Sequence, residues 1–230
     1  MDYNNLKIIG SSHIAIQSLK EVEKAVKELK PDIIALELDK KRLNALMSSK
    51  KAKPSIWNIK HIGLKGFIFS IIGAWVENKL GKLVGVKPGS EMKLAAKLAK
   101  KNNIRLALID QDIEITLKRF SKALTWKEKW NFVADIFNAV VLRKKEVAFD
   151  LSKVPNKKII KKLLEKTKDR YPNIYHVLVS ERNEIMARRL EKIMQQNQDK
   201  QILAIVGAGH ETEIVDMIKK PGISYSLTVG

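Results

Sequence analysis

The sequence predicts an α/β fold: a mostly parallel sheet flanked by helices, with a hydrophobic helical insertion. Three observations carry that prediction. Strand-length apolar runs alternate with amphipathic helical stretches through the first third of the chain. The run Ile33-Ile34-Ala35-Leu36 is apolar throughout, as expected of a strand covered on both faces. The third is a repeated phrase, an apolar strand running into Gly-x-x-His. It reads Leu6-Lys7-Ile8-Ile9-Gly10-Ser11-Ser12-His13 near the start and Ile202-Leu203-Ala204-Ile205-Val206-Gly207-Ala208-Gly209-His210 near the end.

Residues 6–10 form the first expected strand, followed by a helix near 18–29 with Leu19, Val22, Val26 and Leu29 on one stripe. Lys30-Pro31-Asp32 breaks that helix, and Ile33–Leu36 is a strand ending in Glu37-Leu38-Asp39. Such a β-α-β unit calls for parallel strands. The stretch about 50–88 differs, being rich in Ile, Phe, Leu and Gly with Trp57 and Trp75 nearby. Its uninterrupted apolar core, Gly66 to Val76, is shorter than the roughly 20 residues a membrane span requires. It reads as a hydrophobic helix that is core, caps a cleft, or lies on a membrane or partner surface.

Alternation resumes at Pro88-Gly89-Ser90-Glu91, where Ser90 is the expected N-cap of a helix through Lys101 and Glu91 favours its first turn. Asn102-Asn103 ends it, and Ile104–Ile109 is a strand running into Asp110-Gln111-Asp112. A helical section spans about 112–198, with helices near 112–121, 126–149, 156–168 and 180–197. Trp126, Trp130, Val133 and Phe137 share an apolar face that reads as core. The second Gly-x-x-His strand, a short helix at 211–219 and a strand near 223–228 complete a single domain over 1–230.

Cysteine is absent, which excludes disulfides, thiolate zinc sites and cysteine nucleophiles. The N-terminus has no signal-peptide pattern, so a cytoplasmic location is the expectation, with membrane association left open by the insertion and the charge. The net charge is +19, in basic clusters spread along the whole chain. A lysine-rich solvated surface is the first reading and an anionic membrane surface the second. Nucleic acid comes last, because lysine greatly outnumbers arginine while base and bidentate phosphate recognition favour arginine.

If both Gly-x-x-His strands lie in one parallel sheet, His13 and His210 emerge at its carboxyl edge, where open α/β folds hold ligands. Glycine before each histidine would let the chain turn sharply off the strand. Neutral imidazole is a common ligand of divalent metals, and oxygen donors complete such sites. Glu37 and Asp110 follow apolar runs and share that edge; Glu91 opens a helix. Glu181 and Arg182 follow Ser180, where ordinary helix-cap chemistry and a site role stand level on local grounds, and Arg119 lies three residues after Thr116, suited to holding a carboxylate or an oxyanion. His61 and His176 lack such context and read as structural or surface residues. Gly207-Ala208-Gly209 is a fragment of a dinucleotide fingerprint, but Thr212 stands at the third glycine position.

These motifs together resemble the TraB/PrgY family. The resemblance is carried by Gly10-Ser11-Ser12-His13, Pro31-Asp32 through Glu37-Leu38-Asp39 and Arg42, and Pro88-Gly89-Ser90-Glu91. It continues in Ile109-Asp110, Ile115-Thr116-Leu117-Lys118-Arg119, Glu181-Arg182 with Met186-Ala187, and Val206-Gly207-Ala208-Gly209-His210. It implies a fold like the erythromycin-esterase and ChaN-like group, and a relationship to the Tiki metalloproteases. On that basis His13, His210, Glu37 and Glu91 would bind a divalent ion (manganese, cobalt or zinc). Arg119, Glu181 and Arg182 would orient substrate, with Glu37 or Glu91 as general base. The sequence departs from the usual pattern at Gln111 and Asn183, on the substrate side of the site. The implied function is a metal-dependent hydrolase acting on peptides or proteins. The alternative is a non-catalytic peptide-binding or sequestering protein at a membrane surface. Apolar surface on the insertion would favour a homodimer.

Overall fold

A computed structural model describes residues 1–11, 16–48, 89–128, 130–131, 134–135 and 157–220. His13, His61, the 50–88 insertion and the strand expected near 223–228 lie outside the described residues. The described strands are β1 (Asp2–Tyr3), β2 (Leu6–Ser11), β3 (Ile33–Leu36), β4 (Arg105–Leu108) and β5 (Ile202–Gly207). They form one sheet in the order β1-β2-β5-β3-β4, in which only β1 is antiparallel to its neighbour. The α/β fold with a mostly parallel sheet is thereby established. The short β1 was not foreseen, since two residues carry no periodicity.

The last strand enters the middle of the sheet. β5 pairs with β2 on one side and β3 on the other, with Leu6 and Ile33 both opposite Ile202. All six of its residues are buried, which explains an apolar run without alternation. The two Gly-x-x-His strands are therefore neighbours, with Ser11 opposite Gly207.

Helices α1 (Ile16–Leu29), α2 (Lys40–Met47), α3 (Ser90–Lys101) and α4 (Ile113–Ala123) belong to the first half. In the second half, α5 (Lys157–Arg170) and α6 (Pro172–Tyr175) lead through a π-helical turn, His176–Ser180, into α7 (Glu181–Gln196), and α8 (Glu211–Lys219) follows β5. Side chains of alternating strand positions enter two cores. Ile33, Ala35, Ala204 and Val206 pack with Met186, Leu190 and Ile214 from α7 and α8. Ile34, Leu36, Leu203 and Ile205 pack with Val22, Val26, Met92 and Ala96 from α1 and α3. Period-2 strands between two apolar helix stripes produce this two-faced burial.

Several local expectations are corrected. Ser90 is the first residue of α3; Gly89, at φ +74°, takes the cap position with no side-chain bond. The left-handed backbone suits glycine, so the cap here is conformational. Ser180 is no cap either, because α6, the π turn and α7 run on continuously and its backbone is helical. Trp126 and Trp130 are 75 % and 70 % exposed, not core. The side chains of Val133 and Phe137 lie outside the described residues. Asn102-Asn103 ends α3 as expected, Asn103 sitting at φ +53°.

Candidate active site

β3 delivers Glu37 to the carboxyl edge directly after four buried apolar residues, and the carboxylate is 3 % exposed. Its Oε2 accepts from the backbone N–H of Gly207 at the end of the adjacent β5. Its Oε1 accepts from Nη2 of Arg182, the second residue of α7. His210 Nε2 stands 3.5 Å from the same Oε1. The central strand and its neighbour thus place a carboxylate, a guanidinium and an imidazole within contact of one another.

Arg182 is the hub. Its Nε and Nη2 donate to the two oxygens of Asp110 at 3.0 and 2.8 Å, and its Nη1 donates to Leu178 O at 3.1 Å. Burial alone would lower its pKa, but the negative charges of Glu37 and Asp110 outweigh that and raise it, so the guanidinium stays charged. Asp110 also accepts from Arg42 Nη1 at 2.8 Å and from the Gln111 N–H at 2.8 Å, and is 2 % exposed. Arg42 is held in place because Asp39 caps α2, accepting from the N–H groups of Lys41 and Arg42 at 2.7 and 2.9 Å. The other Asp39 oxygen takes the Ile113 N–H at 3.2 Å, which fixes the start of α4. Two buried carboxylates are so matched by two guanidiniums, which is what keeps such charges tolerable away from water.

The imidazole of His210 is oriented from behind. Asn183 Nδ2 donates to Glu213 Oε2 at 2.6 Å, which leaves Asn183 Oδ1 facing His210 Nδ1 at 2.5 Å. An ionised carboxylate only accepts, so the amide cannot be turned the other way. Nδ1 then carries a proton, and Nε2 is left facing Glu37 and Arg182, whose Nη1 is 3.4 Å away. Glu213 is held in turn by Tyr175 OH; burial and then the Glu213 charge raise the pKa of that phenol. An imidazole with one nitrogen pinned by a neighbouring acceptor is the usual arrangement of a metal-ligating or base-acting histidine.

Glu91 sits across the sheet. It is 1 % exposed in the first turn of α3, and Ser11 Oγ donates to its Oε1 at 3.4 Å. Ser11 is the register partner of Gly207, whose N–H binds Glu37. Glu91 therefore occupies the same strand edge as Glu37, but on the α1/α3 side, whereas Glu37 bonds to α7. Arg119 and Glu181 lie outside this cluster: they pair with each other at 2.9 Å, Arg119 being 54 % exposed, and His176 Nε2 is 3.5 Å from Glu181. Of the sequence-level candidates, the structure brings together Glu37, Arg182 and His210 and leaves Arg119 and Glu181 as a peripheral pair. Asn183 and Glu213 were missed as orienting residues. Only their positions in two helical first turns were legible, and contact between those helices is a tertiary fact.

Gly10 is required by close approach and not by a turn. A Cβ there would meet Glu211 Oε2 at 2.8 Å and the Ala208 backbone at 3.0 Å, and among the described glycines only Gly89 has positive φ. A cavity of about 460 Å³ lined by Thr125, Lys127, Glu128, Asn131, Arg170 and neighbours shares no residue with the Glu37 cluster.

As for a divalent ion, His210 Nε2 and Glu37 Oε1 are a nitrogen–oxygen donor pair that such ions accept. Among the described residues, no group of three or more His, Asp or Glu side chains gathers closely enough to complete a site. His13, which follows Ser11 by two residues, lies outside the described residues.

A mostly parallel sheet with a buried carboxylate–guanidinium–imidazole cluster at its carboxyl edge defines an open-sheet α/β protein with an edge site. The chain belongs to the TraB/PrgY/gumN family, whose model matches residues 2–226. It is 37% identical over 221 residues to an uncharacterized protein of Methanocaldococcus jannaschii, covering 94% of this chain and 54% of that protein. It is 22% identical over 236 residues to a TraB domain-containing protein of Homo sapiens and to one of Bos taurus, covering 91% of this chain and 61% of each. The chain thus spans a little over half the length of these relatives. No described helix is long and apolar enough to cross a membrane.

Proposed function

We propose that this chain is a hydrolase, most simply a peptidase, whose reacting centre is the Glu37–Arg182–His210 cluster. The observation that carries the reading is the 3.5 Å approach of His210 Nε2 to Glu37 Oε1, with Nδ1 tied to Asn183. An imidazole tied back at one nitrogen, with a carboxylate beside the other, is the equipment for activating water. Arg182, permanently charged beside both, is placed to bind a developing oxyanion if one of its hydrogen bonds moves to substrate.

His210, Glu37 and Glu91, with His13 as the candidate outside the described residues, are the residues that would hold a divalent ion. Such an ion polarises a scissile carbonyl and acidifies bound water. Glu37 and Glu91 remain the two candidates for general base. The side chain of Arg182 holds Glu37 in place, and Asn183 keeps the imidazole from rotating.

A second reading, a peptide-binding or sequestering protein, draws on one observation. Both oxygens of Glu37 are already engaged, by Arg182 and by the Gly207 N–H. One experiment separates the two readings: incubate the chain with a mixed peptide library and Mn²⁺, Co²⁺ or Zn²⁺, and compare folded His210→Ala. Metal-dependent products that vanish in the variant support the hydrolase. Peptides retained intact by the chain support sequestration, and cleavage unchanged in the variant removes the site from consideration.

A further inference from the structure

Residues 126–128, 130–131 and 134–135 are helical, and their polarity is inverted relative to an ordinary surface helix. The face turned inward is polar. Glu128 is 2 % exposed and accepts from the N–H groups of Asn173 at 2.8 Å and Thr125 at 3.1 Å, and from Thr125 Oγ1 at 3.0 Å. Asp135, two turns on, accepts from Arg170 Nε at 2.6 Å and from Tyr171 OH. At about 100° per residue, Trp126, Trp130 and Ala134 fall on the opposite side. Those residues are exposed, the two indoles at 75 % and 70 %. The bonds from Asn173, Arg170 and Tyr171 thus fix the helix with its tryptophans outward, while those from Thr125 cap its own start.

The setting is strongly basic. Lys118, Lys122 and Lys127 are exposed, and Lys122 precedes Trp126 by four residues. Helix α5, whose last residue Arg170 holds Asp135, reads KKIIKKLLEKTKDR. Tryptophan indoles favour the headgroup level of a bilayer, and lysines beside them favour anionic lipid. A second copy of a chain with net charge +19 would meet this face against like-charge repulsion.

We infer that the Trp126/Trp130 face is a docking surface for an anionic lipid bilayer, on which the helix lies in the interface without spanning it. The orientation follows from the anchoring: Glu128 stays buried and Asp135 stays paired with Arg170 and Tyr171, while the indoles enter the headgroups and the surrounding lysines meet lipid phosphates and carboxylates. This is independent of the hydrolase reading.

The test uses the full chain with three probes: vesicles of phosphatidylcholine alone, vesicles with about a third phosphatidylserine, and single-stranded oligouridylate. Co-sedimentation and tryptophan emission are read for the parent chain and for Trp126→Ala/Trp130→Ala, which keeps Trp57 and Trp75. Because both indoles are exposed, the variant should retain its circular dichroism and melting temperature. Expected are binding to the anionic vesicles at least roughly tenfold tighter than to neutral ones, weakening with salt, and loss of roughly tenfold or more in the variant. The inference is overturned if the parent chain ignores anionic vesicles, or if the variant binds them equally well. It is also overturned if the substitutions abolish only oligouridylate binding or a concentration-dependent dimer in the ultracentrifuge.

Discussion

Arg182 meets Asp110 at two points, Nε to Oδ1 at 3.0 Å and Nη2 to Oδ2 at 2.8 Å, with Asp110 2 % exposed. A guanidinium fork is needed for that geometry, since an ammonium offers one point charge. Arg182→Ala would leave two buried carboxylates short of a cation, so it should lower stability by about 3–5 kcal/mol in urea unfolding. Arg182→Lys should recover only part of the loss. A stability within about 1 kcal/mol of the parent chain in Arg182→Ala would refute the structural role.

Asn183 and Glu213 should matter through His210. Asn183→Leu keeps the volume but removes the acceptor at Nδ1, and Glu213→Gln frees the amide to turn over. Each should cut metal-stimulated hydrolysis by about 10–100-fold in protein that remains folded. The ¹⁵N shifts of the His210 ring should report a mixture of tautomers in both variants. A single Nδ1–H tautomer in both would contradict the orienting chain.

Glu128 sets an acid limit. Its burial would raise the carboxyl pKa, but hydrogen bonds from Thr125 and Asn173 outweigh that and hold it below the ordinary value. A depressed folded-state pKa means the unfolded chain binds the proton more readily, so this stabilisation is complete above about pH 4.5 and is lost as pH falls through the folded value. Glu128→Gln should therefore be less stable near neutrality and show a shallower decline in melting temperature below about pH 4.5. Parallel acid curves for the two proteins would dismiss the linkage.

Gly10→Ala tests the close approach at the first Gly-x-x-His strand. The carboxylate tip of Glu211, 2.8 Å from the new methyl, can swing aside; the Ala208 backbone at 3.0 Å cannot. A loss of about 1–3 kcal/mol is expected from urea denaturation. A neutral substitution would show that β2 and the β5–α8 loop separate at little cost.

Much of this was legible without coordinates. Ile33–Leu36 and Ile202–Val206 are apolar at every position, and only strands buried on both faces need that. Glu37 and His210 were legible because polar groups directly after such runs must lie at the sheet edge. Arg182 was singled out only through resemblance; local sequence left a helix cap at Ser180 and a site role level, and a cap would have made its neighbours unremarkable. Trp126 and Trp130 were misread because an apolar helical stripe ordinarily faces inward. The inward face was claimed instead by Glu128 and Asp135, whose partners Asn173, Arg170 and Tyr171 are distant in sequence.

The amino-acid sequence by itself determined the fold class and the order of the four parallel strands and most of the helices between them, though not β1, α2 or α6. Those features depend on hydrophobic period and on residues close together along the chain. The tertiary structure alone decided that β5 enters between β2 and β3, so that Gly207 donates to Glu37 and Ser11 reaches Glu91. It also decided that Asn183, not a carboxylate, steers His210, while Arg119 and Glu181 stand aside. Strand insertion and helix–helix contact depend on how two apolar faces close over the sheet, and no local pattern encodes which polar ends then meet.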